Sequence, residues 1–208
     1  MNFIFFPSQT SDDTKRLTQW RNRGLSHHPG DETQSGGWDQ EQWEREIRVP
    51  GFDPAKIFEQ ARARLINFDV VPPELLEITT QWNIEERLPQ PGDLMIQRIH
   101  LFKISNFRLA DVLSAVQIAQ IIDEPRRFAL QYSTVKGHPE KGQSTYTLTW
   151  TDDNRVLFTM QPISKPGNLL TRLANPIITQ RVRLKVTHAI LDTLTKGVLL
   201  DLTGYEDV

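Results

Sequence analysis

The sequence predicts an α+β fold in which a curved antiparallel sheet of six to seven strands wraps around one long C-terminal helix. Two patterns support this prediction. From about residue 75 to 162, apolar residues alternate with polar ones, as in half-buried strands. From Pro176 onward, apolar residues recur at helical spacing. A sheet with one apolar face needs a cover, and the late helix is long enough to provide it.

The chain before residue 50 supplies only short elements. Residues 3–6 (FIFF) predict a buried strand, and residues 12–21 predict a short helix. Residues 22–42 are polar and rich in Gly, Ser and Asp, so we expect a flexible surface segment there. A strand is then predicted over 44–49. Because so few residues precede the polar segment, we expect a single domain over 1–208.

The next helix has clear start and stop signals. Asp53 is a good N-cap, and Pro54 is pre-set for the first helical turn. Apolar residues then follow at helical spacing, namely Ile57, Phe58, Ala61, Leu65 and Phe68. The prolines that come after Val71 end the helix.

The alternating segment predicts several strands joined by short turns. In each predicted strand, residues two or four positions apart share one face of the sheet, and these residues are mostly apolar. The sets are Leu94, Ile96, His100, Phe102 and Ile104; Val112, Val116, Ile118 and Ile122; Phe128, Leu130 and Tyr132; Tyr146, Leu148 and Trp150; Val156, Phe158 and Met160. Adjacent strands with short turns form an antiparallel meander.

The last predicted element is the covering helix. It begins at Asn175-Pro176, and Gly197 is a plausible C-terminal stop. A shorter helix is predicted just before it, over 168–174. An early short helix, a meander and a late long helix together indicate a helix-grip arrangement.

Composition excludes several functional classes. The chain has 208 residues, a net charge of −2 and no cysteine. Near-neutral charge gives no reason to expect nucleic acid as a partner, and the lack of cysteine excludes disulfides and thiolate chemistry. No apolar run reaches the ~20 residues of a membrane helix, and no signal peptide precedes the first strand. We therefore expect a cytoplasmic protein without an integral membrane segment.

Common catalytic and cofactor motifs are also missing. The sequence contains no G-x-S-x-G, Walker-type loop, Rossmann glycine pattern or H-E-x-x-H. The adjacent His27 and His28 point apart in an extended chain, so we expect no metal site there. We predict neither a cofactor nor a metal.

A motif in the second half of the chain resembles a known family. Residues 128–143 read FALQYSTVKGHPEKGQ, and residues 156–191 read VLFTMQPISKPGNLLTRLANPIITQRVRLKVTHAIL. This pattern is similar to that of the DUF1990 family, with an aromatic strand, a Gly-His-Pro turn, a Ser-basic-Pro step and a helix containing Pro and Gln. The matching positions are Phe128, Tyr132, Thr134, Gly137, His138, Pro139, Gly142, Ser164, Pro166, Pro176 and Gln180.

The resemblance carries expectations about fold and function. The family looks like a branch of the Bet v 1/START-like helix-grip superfamily, which implies a cavity between sheet and long helix that often holds an apolar ligand. The chain departs from the family pattern at four places: Ser133 replaces Gly, Gln143 and Ser144 replace an acidic pair, and Lys165 replaces Arg. A mechanism that needs a carboxylate at 143 or 144 is therefore not expected.

The leading functional prediction is a hydrophobic or amphipathic, lipid-like small molecule bound between sheet and helix. A bent sheet and one helix leave gaps that are natural apolar pockets. The candidate wall residues are Phe102, Val116, Tyr132, Tyr146, Trp150, Phe158 and Ile178. Arg172 and Gln180 are candidates for binding an acidic head group, although a capping or surface role explains both.

Two other functions remain open from the sequence. His138 beside Glu140, with Tyr132 as a donor, is a candidate acid–base set for a cavity enzyme. The same residues are also typical of a structured turn, with His138 hydrogen-bonded in place. Alternatively, segment 22–42 with Trp38 and Trp43 is a candidate contact site for a protein partner.

Overall fold

The computed structural model describes residues 5–6, 13–28, 30–31, 36–104, 107–167 and 176–204. Within these ranges the strands are β1 (Phe5–Phe6), β2 (Asp39–Gln40), β3 (Trp43–Ile47), β4 (Leu76–Thr80), β5 (Leu94–Ile104), β6 (Phe107–Glu124), β7 (Arg127–Thr134), β8 (Glu140–Trp150) and β9 (Val156–Pro166). The helices in the same ranges are α1 (Asp13–Arg21), α2 (Pro54–Asn67), α3 (Gln81–Ile84) and α4 (Pro176–Thr203).

The strands form one antiparallel sheet. Its order is β2-β9-β8-β7-β6-β5-β4, with β3 also beside β9 and β1 beside β6. Strands β4 to β9 make the meander, because each pairs with the next along the chain, and β3 joins it by pairing with β9. These seven strands agree with the six to seven expected. The α+β class and the sheet wrapped around a C-terminal helix are thereby confirmed.

The concave face of the sheet carries the main core. Cross-strand neighbours share a face, and here Leu130 lies opposite Tyr146, which lies opposite Met160. Helices α2 and α4 cover this face, and their Phe58 and Leu194 are fully buried against it. The predicted packing of the late helix on the meander is therefore confirmed for this part of α4.

The other face of the sheet has its own apolar cover, which the sequence analysis missed. Leu17 and Trp20 of α1 pack on Leu94 and Ile96 of β5 and on neighbouring Ala115 and Val135. Leu94 and Ile96 therefore lie under α1, and not under α4 as the parity pattern predicted. Met95, between them, faces the main core instead. Because β5 is apolar on both faces, alternation alone does not determine which parity faces which helix.

Helix α2 starts as predicted and ends in an unusual way. The Asp53 side chain accepts a hydrogen bond of 2.8 Å from the N–H of Ala55, so the N-cap is confirmed. At the other end, Phe68 adopts the left-handed conformation with φ 55°. A residue with a side chain is costly there, and the sequence gives no sign of it.

Helix α4 does not stop at Gly197, so that prediction is wrong. The helix continues to Thr203 and ends at Gly204, whose φ is +72° and whose N–H donates to the Leu200 carbonyl at 2.8 Å. Gly197 instead lies against the Arg64 guanidinium of α2, which a Cβ at this position would displace. The short helix predicted over 168–174 lies outside the described residues.

The described parts of segment 22–42 are hydrogen-bonded to the sheet, whereas we expected a flexible excursion. Ser26 N–H donates to the Thr134 carbonyl at 2.9 Å, and Lys136 N–H donates to the Gly24 carbonyl at 3.0 Å. Further on, β2 pairs with β9. Polar composition hides this pairing because the segment uses backbone groups, which every residue carries.

The two tryptophans proposed for a protein partner contact residues of this chain. Trp38 lies under the Lys165 ammonium at 4.4 Å, and Trp43 contacts the His188 ring at 5.3 Å.

Candidate functional site

Two tyrosines mark the place where the concave face becomes polar. Tyr132 of β7 and Tyr146 of β8 both point to this face, and the Tyr132 hydroxyl donates to that of Tyr146 at 3.1 Å. Tyr146 is buried, whereas Tyr132 is half-buried. The pair therefore presents hydroxyl groups within a mostly apolar surface.

Aromatic rings enclose the tyrosine pair. Phe68 stacks on Tyr146 with a centroid distance of 5.7 Å and an angle of 16°, and its edge meets Tyr132 at 6.0 Å. Phe158 meets Tyr146 edge-on at 5.8 Å. Three residues predicted as cavity walls thus come together, and Phe68 joins them because the left-handed turn at the end of α2 directs its ring inward. We refer to Phe68, Tyr132, Tyr146 and Phe158 as the aromatic cluster.

Both hydroxyls of the aromatic cluster stay protonated near neutral pH. Burial raises the pKa of Tyr146 well above 10.0, and the neighbouring Tyr132 adds to the rise. Burial likewise raises the pKa of Tyr132, opposed by its hydrogen bonds to Tyr146 and Ser144. The cluster therefore offers neutral hydrogen-bonding groups.

Beyond the tyrosines, several small polar residues line the concave face. Thr134 bonds to Gly142 across β7 and β8: it receives the Gly142 N–H at 2.9 Å and donates to the Gly142 carbonyl at 3.1 Å. Ser114 of β6 is fully buried and lies 3.4 Å from the Gln97 side-chain oxygen of β5. These groups satisfy one another inside the fold, as buried polar groups must.

The connection between β7 and β8 closes this polar end. Its turn is fixed by the hydrogen bond from His138 N–H to the Val135 carbonyl at 3.0 Å and by Gly137, whose φ of +104° disfavours any side chain. Gly167 N–H then donates to the Pro139 carbonyl at 2.8 Å, which fastens the connection to the end of β9. Gly137 of the family-like motif thus has a structural explanation, and so has Gly142, where a Cβ would overlap the Ile163 carbonyl oxygen.

His138 holds the connection against the sheet through both ring nitrogens. Nδ1 accepts the N–H of Glu140 at 3.0 Å, and Nε2 then donates to Gln97 Oε1 at 3.3 Å. Burial lowers the pKa of His138, and the charge of Glu140 opposes this only in part. His138 is therefore a neutral imidazole that joins three parts of the chain.

The remaining predicted site residues lie outside the aromatic cluster or outside the described part of the chain. Val116 is buried in the main core. Trp150 lies about 13 Å along β8 from Tyr146, judged from strand rise, and donates to Asn154 at 3.3 Å beneath the Arg126 guanidinium. Arg172 lies outside the described residues, as do the side chains of Phe102, Ile178 and Gln180.

A surface depression reaches the aromatic cluster from outside. It has a volume of about 310 Å³, lies between the end of α2 and strand β4, and is lined by Asn67, Phe68, Asp69, Val71, Pro73, Leu76, Glu77 and Ile78. Phe68 is shared between this depression and the cluster. The sequence analysis did not find it, because it depends on how α2 ends beside β4.

The described ranges contain neither a metal-ligand cluster nor a helix suited to a bilayer. There, no group of three His, Cys, Asp or Glu side chains is placed to hold a metal ion. Among the helices of the same ranges, none combines the length and apolarity needed to cross a bilayer.

The sequence comparison identifies the family. The model of a domain of unknown function, DUF1990, matches residues 26–192, which is more than half of the chain. The chain belongs to the DUF1990 family. No curated protein matches it in sequence.

The fold has relatives among solved structures. A point mutant of Thalictrum flavum norcoclaurine synthase, solved with a transition-state analogue, superposes with a TM-score of 0.50 at 12% identity, covering 81% of this chain and 99% of that one. Ara h 8.0201 gives a TM-score of 0.49 at 16% identity, covering 78% of this chain and 99% of that one. A major latex-like protein from Panax ginseng gives 0.48 at 13%, covering 79% and 99%. The DUF1990 chain thus has the Bet v 1-like fold.

Proposed function

We propose that this DUF1990 protein binds a hydrophobic or amphipathic small molecule between its sheet and α4, against the aromatic cluster. The observation that carries the proposal is the hydroxyl pair of Tyr132 and Tyr146, joined at 3.1 Å and enclosed by Phe68 and Phe158. Ligand sites typically combine apolar walls with a few well-placed polar groups, and this cluster has that composition.

The packing of α4 supports a site at this end of the sheet. Ile190, Leu191, Leu194 and Val198 of α4 are buried in the main core, so the far half of the concave face is filled. The polar half lies beyond them, toward Thr134, Ser114 and His138. A molecule with an apolar body and a hydrogen-bonding end matches this change in character.

The acid–base alternative has less support. Both ring nitrogens of His138 are engaged, one by the main chain of Glu140 and the other by Gln97. A general base needs a nitrogen that faces the substrate. This arrangement fits a residue that positions the connection.

The test measures binding of two uncharged probes. N-phenyl-1-naphthylamine reports apolar binding by its fluorescence, and 1-dodecanol competes with it through an apolar chain and a hydroxyl. Tyr132→Phe should raise the dodecanol concentration needed for displacement about five-fold, since a hydrogen bond contributes about 1 kcal/mol. Affinity for the naphthylamine itself should stay within about two-fold, because the ring remains.

A matched control keeps the result interpretable. Trp150→Phe changes an aromatic residue at the far end of the neighbouring strand β8, away from the aromatic cluster, and should leave dodecanol displacement unchanged. Absence of naphthylamine binding by the wild-type protein, together with no bound molecule in native mass spectrometry, would show the proposal to be wrong. An equal effect of both substitutions would place the molecule elsewhere.

A further inference from the structure

Four cationic side chains gather on the outer side of the β7–β8 connection. They are Arg23, Lys136, Lys141 and Lys165, which we call the basic patch. Arg23 and Lys136 are exposed, and the other two are half-buried. A Cβ at Gly137 would lie 3.0 Å from Arg23 Nη1, and one at Gly24 would lie 3.8 Å from Lys136 Nζ. Arg23 therefore lies beside Gly137, next to Lys136 in the chain, and Lys136 lies beside Gly24, next to Arg23.

The other two members of the basic patch lie side by side on neighbouring strands. Lys141 of β8 pairs in register with Lys165 of β9. Like charges placed directly opposite each other destabilise a sheet. The register therefore concentrates positive charge at this end of β8 and β9.

Tryptophan rings orient two members of the basic patch. The Arg23 guanidinium lies 4.1 Å from the centroid of the Trp20 ring, and the Lys165 ammonium lies 4.4 Å from that of Trp38. Cation–π contacts of this kind hold a cation in place without neutralising it.

Within the described part of the chain, Arg23, Lys136 and Lys141 form no ion pair. Glu140 alternates with Lys141 along β8, and its charge acts on Tyr132 and His138 at the concave face. The chain as a whole has a net charge of −2. A local positive surface on an acidic protein creates a directed field.

We propose that the basic patch docks the protein on an anionic phospholipid bilayer. The proposal rests on the proposed function, because a hydrophobic or amphipathic ligand is stored in bilayers and must be collected there. The β7–β8 connection links the basic patch to the proposed ligand site, because it carries Lys136 on its outer side and His138 against the concave face. Clusters of four to eight Lys and Arg bind anionic lipid in this way, at about five-fold in affinity per charge.

The experiment compares sedimentation with vesicles of phosphatidylcholine alone and with vesicles that also contain phosphatidylserine. The wild-type protein should bind only the second kind, and added salt should release it. A triple variant (Arg23→Gln, Lys136→Gln, Lys141→Gln) should lose about five-fold in affinity per charge removed. A control triple (Arg48→Gln, Lys185→Gln, Lys196→Gln) removes the same charge from exposed residues elsewhere and should bind as the wild type does.

Each contrary result overturns a specific statement. Equal loss in both triple variants, or equal binding to the two kinds of vesicle, overturns docking by the basic patch. Binding of single-stranded RNA without binding of vesicles assigns the patch to nucleic acid and also overturns it. Naphthylamine binding is measured without vesicles, so its absence overturns the proposed function separately. Unchanged naphthylamine binding by both triples shows that they are folded.

Discussion

His138 shows at the scale of one residue how a side chain with catalytic appearance serves the fold. Its Nδ1 and Nε2 connect the backbone at Glu140 with the side chain of Gln97, two strands away from β7. The sequence predicted both a turn residue and an acid–base candidate at this position. It did not predict Gln97, because a contact between β5 and the β7–β8 connection depends on the sheet order.

Replacing His138 should lower stability. His138→Leu leaves the N–H of Glu140 without this partner, whereas the oxygen of Gln97 keeps its hydrogen bond from Ser114. One unsatisfied buried group costs about 1–3 kcal/mol. We expect the free energy of unfolding, measured by urea denaturation, to fall by about 2 kcal/mol. His28→Leu, at an exposed histidine, is the control and should have almost no effect. Unchanged stability in the His138 variant would contradict the joining role.

Stability should also depend on pH through His138. Burial lowers its pKa below the ordinary 6.5, so the unfolded chain binds more protons once the pH falls below that value. The wild type should therefore be more stable than His138→Gln by a constant amount above pH 6.5, and this difference should shrink as the pH decreases. Urea denaturation of both proteins across this range measures it. A difference that grows in acid would contradict the lowered pKa.

At the scale of elements, helix starts were predicted well and helix ends poorly. Asp53 and Pro54 act locally, and the sequence is sufficient to find them. The end of α4 is different, because Gly197 resembles a stop yet lies inside the helix against Arg64. That guanidinium also forms an ion pair with Asp201 at 2.6 Å, so Gly197 makes room for the contact between α2 and α4.

Gly197→Ala should therefore destabilise the protein. Inside a helix, Gly→Ala usually stabilises by about 0.5–1 kcal/mol. Here the added methyl group would overlap Arg64, and overpacking costs about 1–3 kcal/mol. We expect a lower melting temperature, measured by circular dichroism. Gly36→Ala, where nothing lies within 4 Å of the new Cβ, should change little. A stabilised Gly197 variant would show that Arg64 moves aside freely.

At the scale of the whole molecule, the sheet is covered on two sides. The sequence predicted the meander and the long helix because strand alternation and helical spacing extend over many residues. It did not predict the cover from α1 or the place of Phe68 in the aromatic cluster, because both depend on elements far apart in the chain. Phe68 was recognised as apolar, but its left-handed backbone and inward ring follow from tertiary packing.

The cover that α1 provides should be energetically separate from the proposed binding site. Leu17 of α1 is buried against the face opposite the tyrosines. Leu17→Ala should lower the free energy of unfolding by about 2–5 kcal/mol while leaving naphthylamine affinity unchanged in the folded protein. Gln19→Ala, exposed on the same helix, is the control. Weaker probe binding in the Leu17 variant would show that α1 supports the concave face.

Phe68 belongs to two structures at once. Its backbone N–H ends α2 by donating to the Leu65 carbonyl at 3.1 Å, while its ring forms a wall of the aromatic cluster. Whatever steadies the ring therefore steadies the last turn of the helix. Slower deuterium uptake at the amides of Phe68 and Asp69 would therefore report a bound ligand, even before the chemical identity of that ligand is known.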